Sequence, residues 1–182
     1  MARDVKTEEK IITTGKKLFG AQGYVATSMS DIAKEVGITK ASLYYFYKNK
    51  QDLYLRVLSE VHIQLEDIFT TDKKPNGKKD IEKLILRLID ILTPYGALLD
   101  PIDPAHFDTK DPALLGVIER ELAIDKKSQT YLSQCGVKKT KLASHTMFSS
   151  IQGYILRLKY GVDDISPKQF ASYTANILST NT

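Results

Sequence analysis

Apolar residues in this chain recur every three or four positions over stretches much longer than a strand, and they rarely alternate singly with polar ones. That spacing collects side chains on one side of a helix, whereas a strand needs a period of two, so the expected fold is all-α. The first helix is expected over residues 7–22, with Ile11, Gly15, Leu18, Phe19 and Gln22 in one stripe and Gly23 as its stop. A long helix follows from about residue 50, its stripe being Tyr54, Val57, Leu58, Val61, Leu65 and Ile68. The segment 71–79, with Pro75, Asn76, Gly77 and four lysines, reads as a solvated loop before a helix over 81–92. Pro94, Gly96, Pro101 and Pro104 break up the next region, until Asp111 and Pro112 offer the cap and first turn of a new helix. The last two helices are expected over 139–160, ended by Gly161, and 166–178.

A chain of 182 residues that is 42% hydrophobic can bury a substantial core, which argues against disorder. The N-terminus reads MARDVKTEEK, with no apolar run of the kind a signal peptide needs, and no stretch is long and apolar enough to span a bilayer, so the cytoplasm is the expected location. Cys135 is the sole cysteine and has no metal-ligand spacing around it, so it reads as a small buried hydrophobe. The net charge is +4, and residues 1–60 hold ten Lys and Arg against seven Asp and Glu, so most of the excess lies in the first third. A polyanionic partner suits that bias, though charge alone specifies nothing.

The informative string is TSMSDIAKEVGITKASLYYFYKNKQD, residues 27–52. Ser28 with Asp31 forms a capping-box variant opening a short helix that runs to about Val36. Gly37 permits a left-handed turn, Ile38 can tuck inward, and Thr39 can cap a second short helix through about Tyr45. Asn49 and Asp52 repeat the capping arrangement for the long helix. Ile32, Ala33 and Val36 with Leu43 and Phe46 or Tyr47 can form a small core fixing the two short helices, leaving Lys40, Ala41, Ser42 and Tyr45 outward. Two capped helices across a tight turn are the geometry of a helix-turn-helix, whose second helix fits the DNA major groove. Four successive aromatic residues, Tyr44 to Tyr47, exceed what one face of a short helix can bury, so one or two phenols are expected outside, within reach of phosphate. The alternative use of those rings is to wedge the short helix against its neighbours.

This stretch resembles the DNA-binding domain of the TetR family of bacterial regulators. The matching marks are Phe19 with Gly23-Tyr24, Thr27-Ser28-Met29, Asp31-Ile32-Ala33, Val36-Gly37-Ile38, Leu43-Tyr44, and Lys48-Asn49-Lys50 leading to Leu53. Phe46 departs from the histidine often found there. The resemblance implies a helix-turn-helix domain over 1–50 and a helical ligand-binding and dimerisation domain over 51–182. It implies that Lys40, Ala41, Ser42 and Tyr45 face the groove and that Ser28, Thr39, Tyr44 and Lys50 meet phosphates. Lys50 has a separate reason to do so, since it opens a helix whose free N–H groups already favour an anion.

A single short helix covers too few bases for useful specificity, so a homodimer on a palindromic, double-stranded operator is expected. In the segment 139–160 one stripe is Met147, Ile151, Tyr154, Ile155 and Leu158, and a second is small: Ala143, Ser149, Ser150 and Gly153. With Phe170, Tyr173 and Ile177 of the last helix, the small stripe makes a candidate dimer face, as the resemblance also implies; the competing reading keeps both stripes inside the chain's own core. The resemblance also implies repression and a small-molecule effector bound among the C-terminal helices, for which Tyr95, His106, Tyr131, His145, Gln152 and Tyr154, polar groups among apolar neighbours, are candidate pocket residues. Neither cofactor nor metal is implied, and no membrane partner.

His62, His106 and His145 are scattered singly and the glycines form no phosphate-cradling pattern, so no catalytic motif is legible. The principal alternative to a regulator is a helical protein-binding adaptor whose N-terminal unit serves as scaffold.

Overall fold

The computed structural model describes residues 4–70, 73–98, 107, 108, 110–162 and 164–180. Among them the regular elements are helical: α1 (Val5–Ala26), α2 (Met29–Val36), α3 (Lys40–Phe46), α4 (Lys50–Ile68), α5 (Gly77–Leu92), a 3-10 turn (Thr93–Leu98), α6 (Pro112–Gln134), α7 (Thr140–Lys159) and α8 (Pro167–Thr180). The expected all-α class is what the chain adopts. It divides into two compact units, one of Met1–Val61 with Pro94–Glu119 and the other of His62–Thr93 with Arg120–Thr182. Helices α4 and α6 each contribute residues to both.

In the first unit α1 opens on Asp4, whose carboxylate accepts from the Lys6 N–H at 3.2 Å. Gly23 (φ 80, ψ 176) breaks the helical path, and a last turn follows it to Ala26. The buried face of α1 is Ile11, Ile12, Gly15, Phe19 and Gly20. Gln22, expected in that stripe, is exposed, because the inward arc of α1 runs through Gly20 instead. Gly20 has a specific reason to lack a side chain: a Cβ there would lie 2.5 Å from the Pro94 carbonyl oxygen and 3.1 Å from Tyr95 Cα. Helix α4 also comes close at Gly15, where a Cβ would meet the side-chain Cγ2 of Val57 at 2.9 Å. Around this packing lies an aromatic cluster: Tyr54 stands edge-on to Phe19 and to Tyr24, each at 5.0 Å, and Phe107 lies 4.6 Å from Tyr24 and 5.5 Å from Tyr54.

The second unit is organised by α5, which packs on α7 and α8 while α7 packs on α8. Its inward face is Ile81, Leu84, Ile85, Leu88, Ile89 and Leu92, a helical stripe of six aliphatic side chains. Helix α5 begins at Gly77, so residues 77–79 belong to a helix and not to the expected loop. Asp80 secures that start, its carboxylate accepting from the Asn76 N–H at 2.9 Å. Tyr131 reaches from α6 to donate its hydroxyl to the Asp80 carbonyl at 3.2 Å, and burial pushes that phenol up to about 12. Between α6 and α7 the fully buried hydroxyls of Ser128 and Ser144 bond to each other, and Ser144 also donates to Asp125 Oδ1 at 2.6 Å. Glu66 of α4 accepts from Lys127 at 2.8 Å and from Arg120 at 3.4 Å. Cys135 is buried, as expected, and burial raises its thiol to about 11.

Candidate nucleic-acid interface

Helix α2 starts on a complete reciprocal cap. The Ser28 hydroxyl accepts from the Asp31 N–H at 3.1 Å, and the Asp31 carboxylate accepts from the Ser28 N–H at 3.2 Å. The Ser28 hydroxyl also donates to that carboxylate at 2.6 Å, which holds the Asp31 carboxyl below the usual carboxylate range. At the other end Gly37 sits in the left-handed region (φ 81, ψ 31), letting the N–H groups of Gly37 and Ile38 both bond the Ala33 carbonyl at 3.0 Å. A β-carbon at this φ would be strained, which is why the turn needs glycine. Thr39 then caps α3, its hydroxyl accepting from the Ser42 N–H at 3.0 Å.

The two short helices meet through Ile32, Ala33, Leu43, Phe46 and Tyr47, all buried, with Val36 and Ile38 half-buried at the edge. Phe46 is thus spent on packing. Tyr47 is both buried and tethered, its hydroxyl donating to Glu8 of α1 at 3.2 Å. Lys17 and Glu35 pair at 2.7 Å between α1 and α2, and the lysine pulls the Glu35 carboxyl below its ordinary range. The three helices therefore fix the outward side of α3, which carries Lys40, Ala41, Ser42, Tyr44 and Tyr45. Tyr44 and Tyr45 are 43% and 57% exposed, so two of the four successive rings lie outside and two inside. Ser42 shares a hydrogen bond with the Thr39 hydroxyl at 2.8 Å, and Lys40 lies 6.0 Å from the Tyr44 ring centroid. Ser28 and Thr39 are exposed at the starts of their helices.

Lys50 sits differently from its neighbours. Its ammonium donates to the Tyr24 carbonyl at 2.9 Å and the Val25 carbonyl at 3.4 Å, and stands 4.3 Å from the centroid of the Tyr24 ring. It caps the end of α1, a use the local sequence did not suggest because the carbonyls it satisfies lie 25 and 26 residues earlier. Asn49 accepts from the Asp52 N–H at 2.8 Å, as expected for the start of α4, and Asp52 accepts from the Lys48 N–H at 3.1 Å.

The remaining candidates scatter. Tyr95 is half-buried in the 3-10 turn and His106 lies outside the described residues. Tyr131 is half-buried, and Tyr154 is buried with its hydroxyl donating to the Ile165 carbonyl at 2.7 Å and its ring stacked 4.3 Å from Phe170. His145 and Gln152 are exposed on α7. On the expected dimer face Ala143 is buried in the chain's own core, because it falls on the same side of α7 as Met147. Ser150 and Phe170 are half-buried, while Gly153, Tyr173 and Ile177 are exposed. Sequence reasoning missed the exposed Leu142, Leu156 and Tyr160, which continue the Gly153 side of α7 at helical spacing. Among the described residues no His, Cys, Asp and Glu cluster could hold a metal ion, and no helix is long and apolar enough to cross a membrane.

Residues 11–57 match the family model for bacterial regulatory proteins of the tetR family. An uncharacterised HTH-type transcriptional regulator of Lactococcus lactis is 28% identical over 171 residues, covering 86% of this chain and 85% of that one. The negative transcriptional regulator IcaR of the biofilm operon icaADBC in Staphylococcus epidermidis is 49% identical over 47 residues, 26% of this chain and 25% of the relative. In fold, a crystal structure of a tetR-family regulator from Streptomyces coelicolor superposes with a TM-score of 0.75 at 15% identity, over 97% of this chain and 80% of that one. The matched residues are those that build the capped turn and the outward side of α3, and the Lactococcus likeness runs on through most of the remaining helices. Residues 11–57 thus match the helix-turn-helix domain of the tetR family of bacterial regulatory proteins, and most of the chain is similar to a helix-turn-helix transcriptional regulator.

Proposed function

We propose that the chain is a repressor that binds a palindromic operator as a homodimer and releases it when a small molecule occupies the second unit. The observation that carries the DNA-binding part is the outward side of α3. Its residues are small or polar, its start is capped, and Leu43, Phe46 and Tyr47 anchor it from behind. In this reading Lys40 donates to guanine acceptors, Ala41, Ser42 and Tyr45 meet base edges, and Ser28, Thr39 and Tyr44 clamp phosphates. Lys50 contributes charge from beside the backbone while holding the end of α1.

The homodimer reading rests on apolar side chains that are exposed on α7 and α8. Leu142, Gly153 and Leu156 are exposed on α7 and Tyr160 at its end, Tyr173 and Ile177 are exposed on α8, and Tyr173 is 70% exposed. Two such faces related by a two-fold axis make a four-helix contact. Tyr95, Tyr131, Tyr154 and the candidates His106, His145 and Gln152 remain proposals for the effector's surroundings. Repression follows the named activity of the IcaR relatives.

Selection of bound sequences from a random duplex pool tests the reading. A two-fold-symmetric motif with half-sites about 34–36 Å apart, or a multiple of that, is expected. Lys40→Ala should then lose preference at one base position of the half-site, by about 1–3 kcal/mol. Enrichment of no motif from a folded protein would leave a helical adaptor as the better description.

A further inference from the structure

Positive charge is concentrated at one end of the second unit. Residues 73–83 and 138–141 hold eight lysines against Asp80 and Glu82, an excess of six, while the whole chain carries only +4. Acidic residues elsewhere in 61–182 offset this excess almost completely, which conceals the cluster in a count along the chain. Both segments belong to the second unit. They meet because the Tyr131 hydroxyl, near the end of α6, donates to the Asp80 carbonyl in the first turn of α5 at 3.2 Å. Buried Val137 closes that end of α6, its N–H donating to the Leu132 carbonyl at 3.0 Å, and α7 starts three residues later. The end of α8 joins them, since Lys78 Nζ donates to Asn176 Oδ1 at 3.1 Å.

The fold does not account for these lysines. Lys78 and Lys79 occupy the first turn of α5, Lys139 is the residue before α7, and Lys141 lies in its first turn. Cations at a helix start oppose the helix dipole, and neighbouring like charges repel, so the cluster costs the folded chain stability. Lys83 is spent on Asp80 at 2.9 Å. Lys74, Lys78, Lys79, Lys138, Lys139 and Lys141 are exposed, and none pairs with a carboxylate among the described residues.

We propose that this lysine surface is a second, sequence-independent contact for duplex DNA, separate from α3. Lysine presents a compact point charge on a flexible stem, which suits successive phosphates without fixing the bases between them. Within 73–79 and 135–141 no apolar or aromatic side chain is exposed, and Pro75, Cys135 and Val137 are all buried. The surface thus has no wedge for a lipid layer, no ring on which a single-stranded base could stack, and no apolar centre of the kind protein partners bury. Leu142, the first exposed apolar residue beyond it, lies on the side of α7 proposed for the dimer. Duplex carries about one negative charge per 1.7 Å of axis, and a protein held on one stretch of DNA meets further DNA at high effective concentration. The choice of duplex as partner rests on the reading of α3 as a DNA-contacting helix.

To test it, the full-length protein is loaded, to stoichiometry and without excess, with a minimal duplex holding only the motif found by selection, which occupies α3. A labelled duplex lacking the motif is then titrated in, and its capture is followed by fluorescence anisotropy at several salt concentrations. Each neutralised phosphate contributes about 0.9 to the slope of log affinity against log salt, so six lysines give a slope of about −5. Lys74→Gln with Lys79→Gln should remove about two units of that slope, and Lys138→Gln with Lys139→Gln about two more. A fourfold rise in salt should therefore weaken capture about 1,000-fold in wild type and only about tenfold when all four lysines are replaced. Affinity for the minimal motif duplex should stay within about twofold throughout, since α3 is untouched.

No capture by loaded wild type, or a slope that both lysine pairs leave unchanged, overturns the proposal. So does capture of phosphatidylserine-containing vesicles without capture of the second duplex, which would make the surface a lipid contact. If wild type binds no selected duplex at all, the reading of α3 fails separately; the motif-free duplex titrated onto the unloaded protein, wild type against both pairs, then decides the lysine surface. Should one pair fold poorly by circular dichroism, the other decides, because the two remove different charges from the same surface.

Discussion

Replacing Gly20 by alanine should destabilise the protein, although alanine is the better helix former. A Cβ at this position would sit 2.5 Å from the Pro94 carbonyl oxygen and 3.1 Å from Tyr95 Cα. Both obstacles are backbone, so no side-chain rotation clears them. Either α1 or the 3-10 turn has to retreat by most of an ångström, against the packing of Phe19 and the buried Ala97 and Leu98. Overpacking of a well-packed site costs about 1–3 kcal/mol, with the high end expected for a backbone obstacle. Helix propensity returns about 0.8–1 kcal/mol on Gly→Ala. The net is a loss of about 1–2 kcal/mol, or roughly 2–8 °C in Tm for a chain of this size.

Gly116 supplies the control within the same unit, since a Cβ there meets nothing within 4 Å. Gly116→Ala should gain about 0.5–1 kcal/mol from propensity alone. Urea unfolding followed by circular dichroism, at one fixed protein concentration, measures both variants against wild type. Opposite signs are expected for the same chemical change. A Gly20→Ala protein as stable as wild type would mean that the approach of residues 94 and 95 to α1 is looser than described, and the reasoning would fail.

Gly153→Ala separates the chain's own core from the proposed dimer contact: a Cβ there meets nothing in a single chain, so a weakening of the dimer by at least about tenfold in sedimentation equilibrium would place a second copy against it, and an unchanged or tighter dimer would remove it from the interface. Lys50→Met should lower stability by about 1–2 kcal/mol, because two α1 carbonyls lose a charged donor, and should also flatten the salt dependence of DNA binding by about one unit; a normal thermal midpoint would show that the cap is not maintained in solution. Among the described residues the buried Nδ1 of His62 has no hydrogen-bond partner, and burial holds its pKa below the ordinary 6.5, with Arg120 acting in the same direction and Glu66 opposing. The unfolded chain therefore takes up this proton first, so stability is lost as pH falls below about 6.5; His62→Gln should flatten that acid limb in unfolding measured from pH 7.5 to 5, and parallel curves for both proteins would rule the residue out as its source.

The helix-turn-helix was legible because every device that builds it is local. Ser28 and Asp31, Gly37, and Thr39 each act on backbone groups within four or five residues, and the inward set of Ile32, Ala33 and Leu43 follows from helical period. The all-α class was legible for the same reason, as was the Asp111 cap of α6. Loop boundaries were read less well: Gly77 to Lys79 have turn-forming composition, yet Asp80 bonds the Asn76 N–H and draws them into α5. Periodicity assigned Gln22 to the wrong side of α1, because it could not show that Gly20 is where another backbone comes close.

What the sequence determined by itself is the set of helices and the outward side of α3, since short-range capping and side-chain period decide both. Tertiary structure decided which carbonyls Lys50 would satisfy, which helix start Tyr131 would hold, and which side of α7 would stay exposed. Those outcomes depend on groups brought together from 25 to 51 residues apart. The energy of such pairs comes from distance and direction in space, which spacing along the chain does not encode.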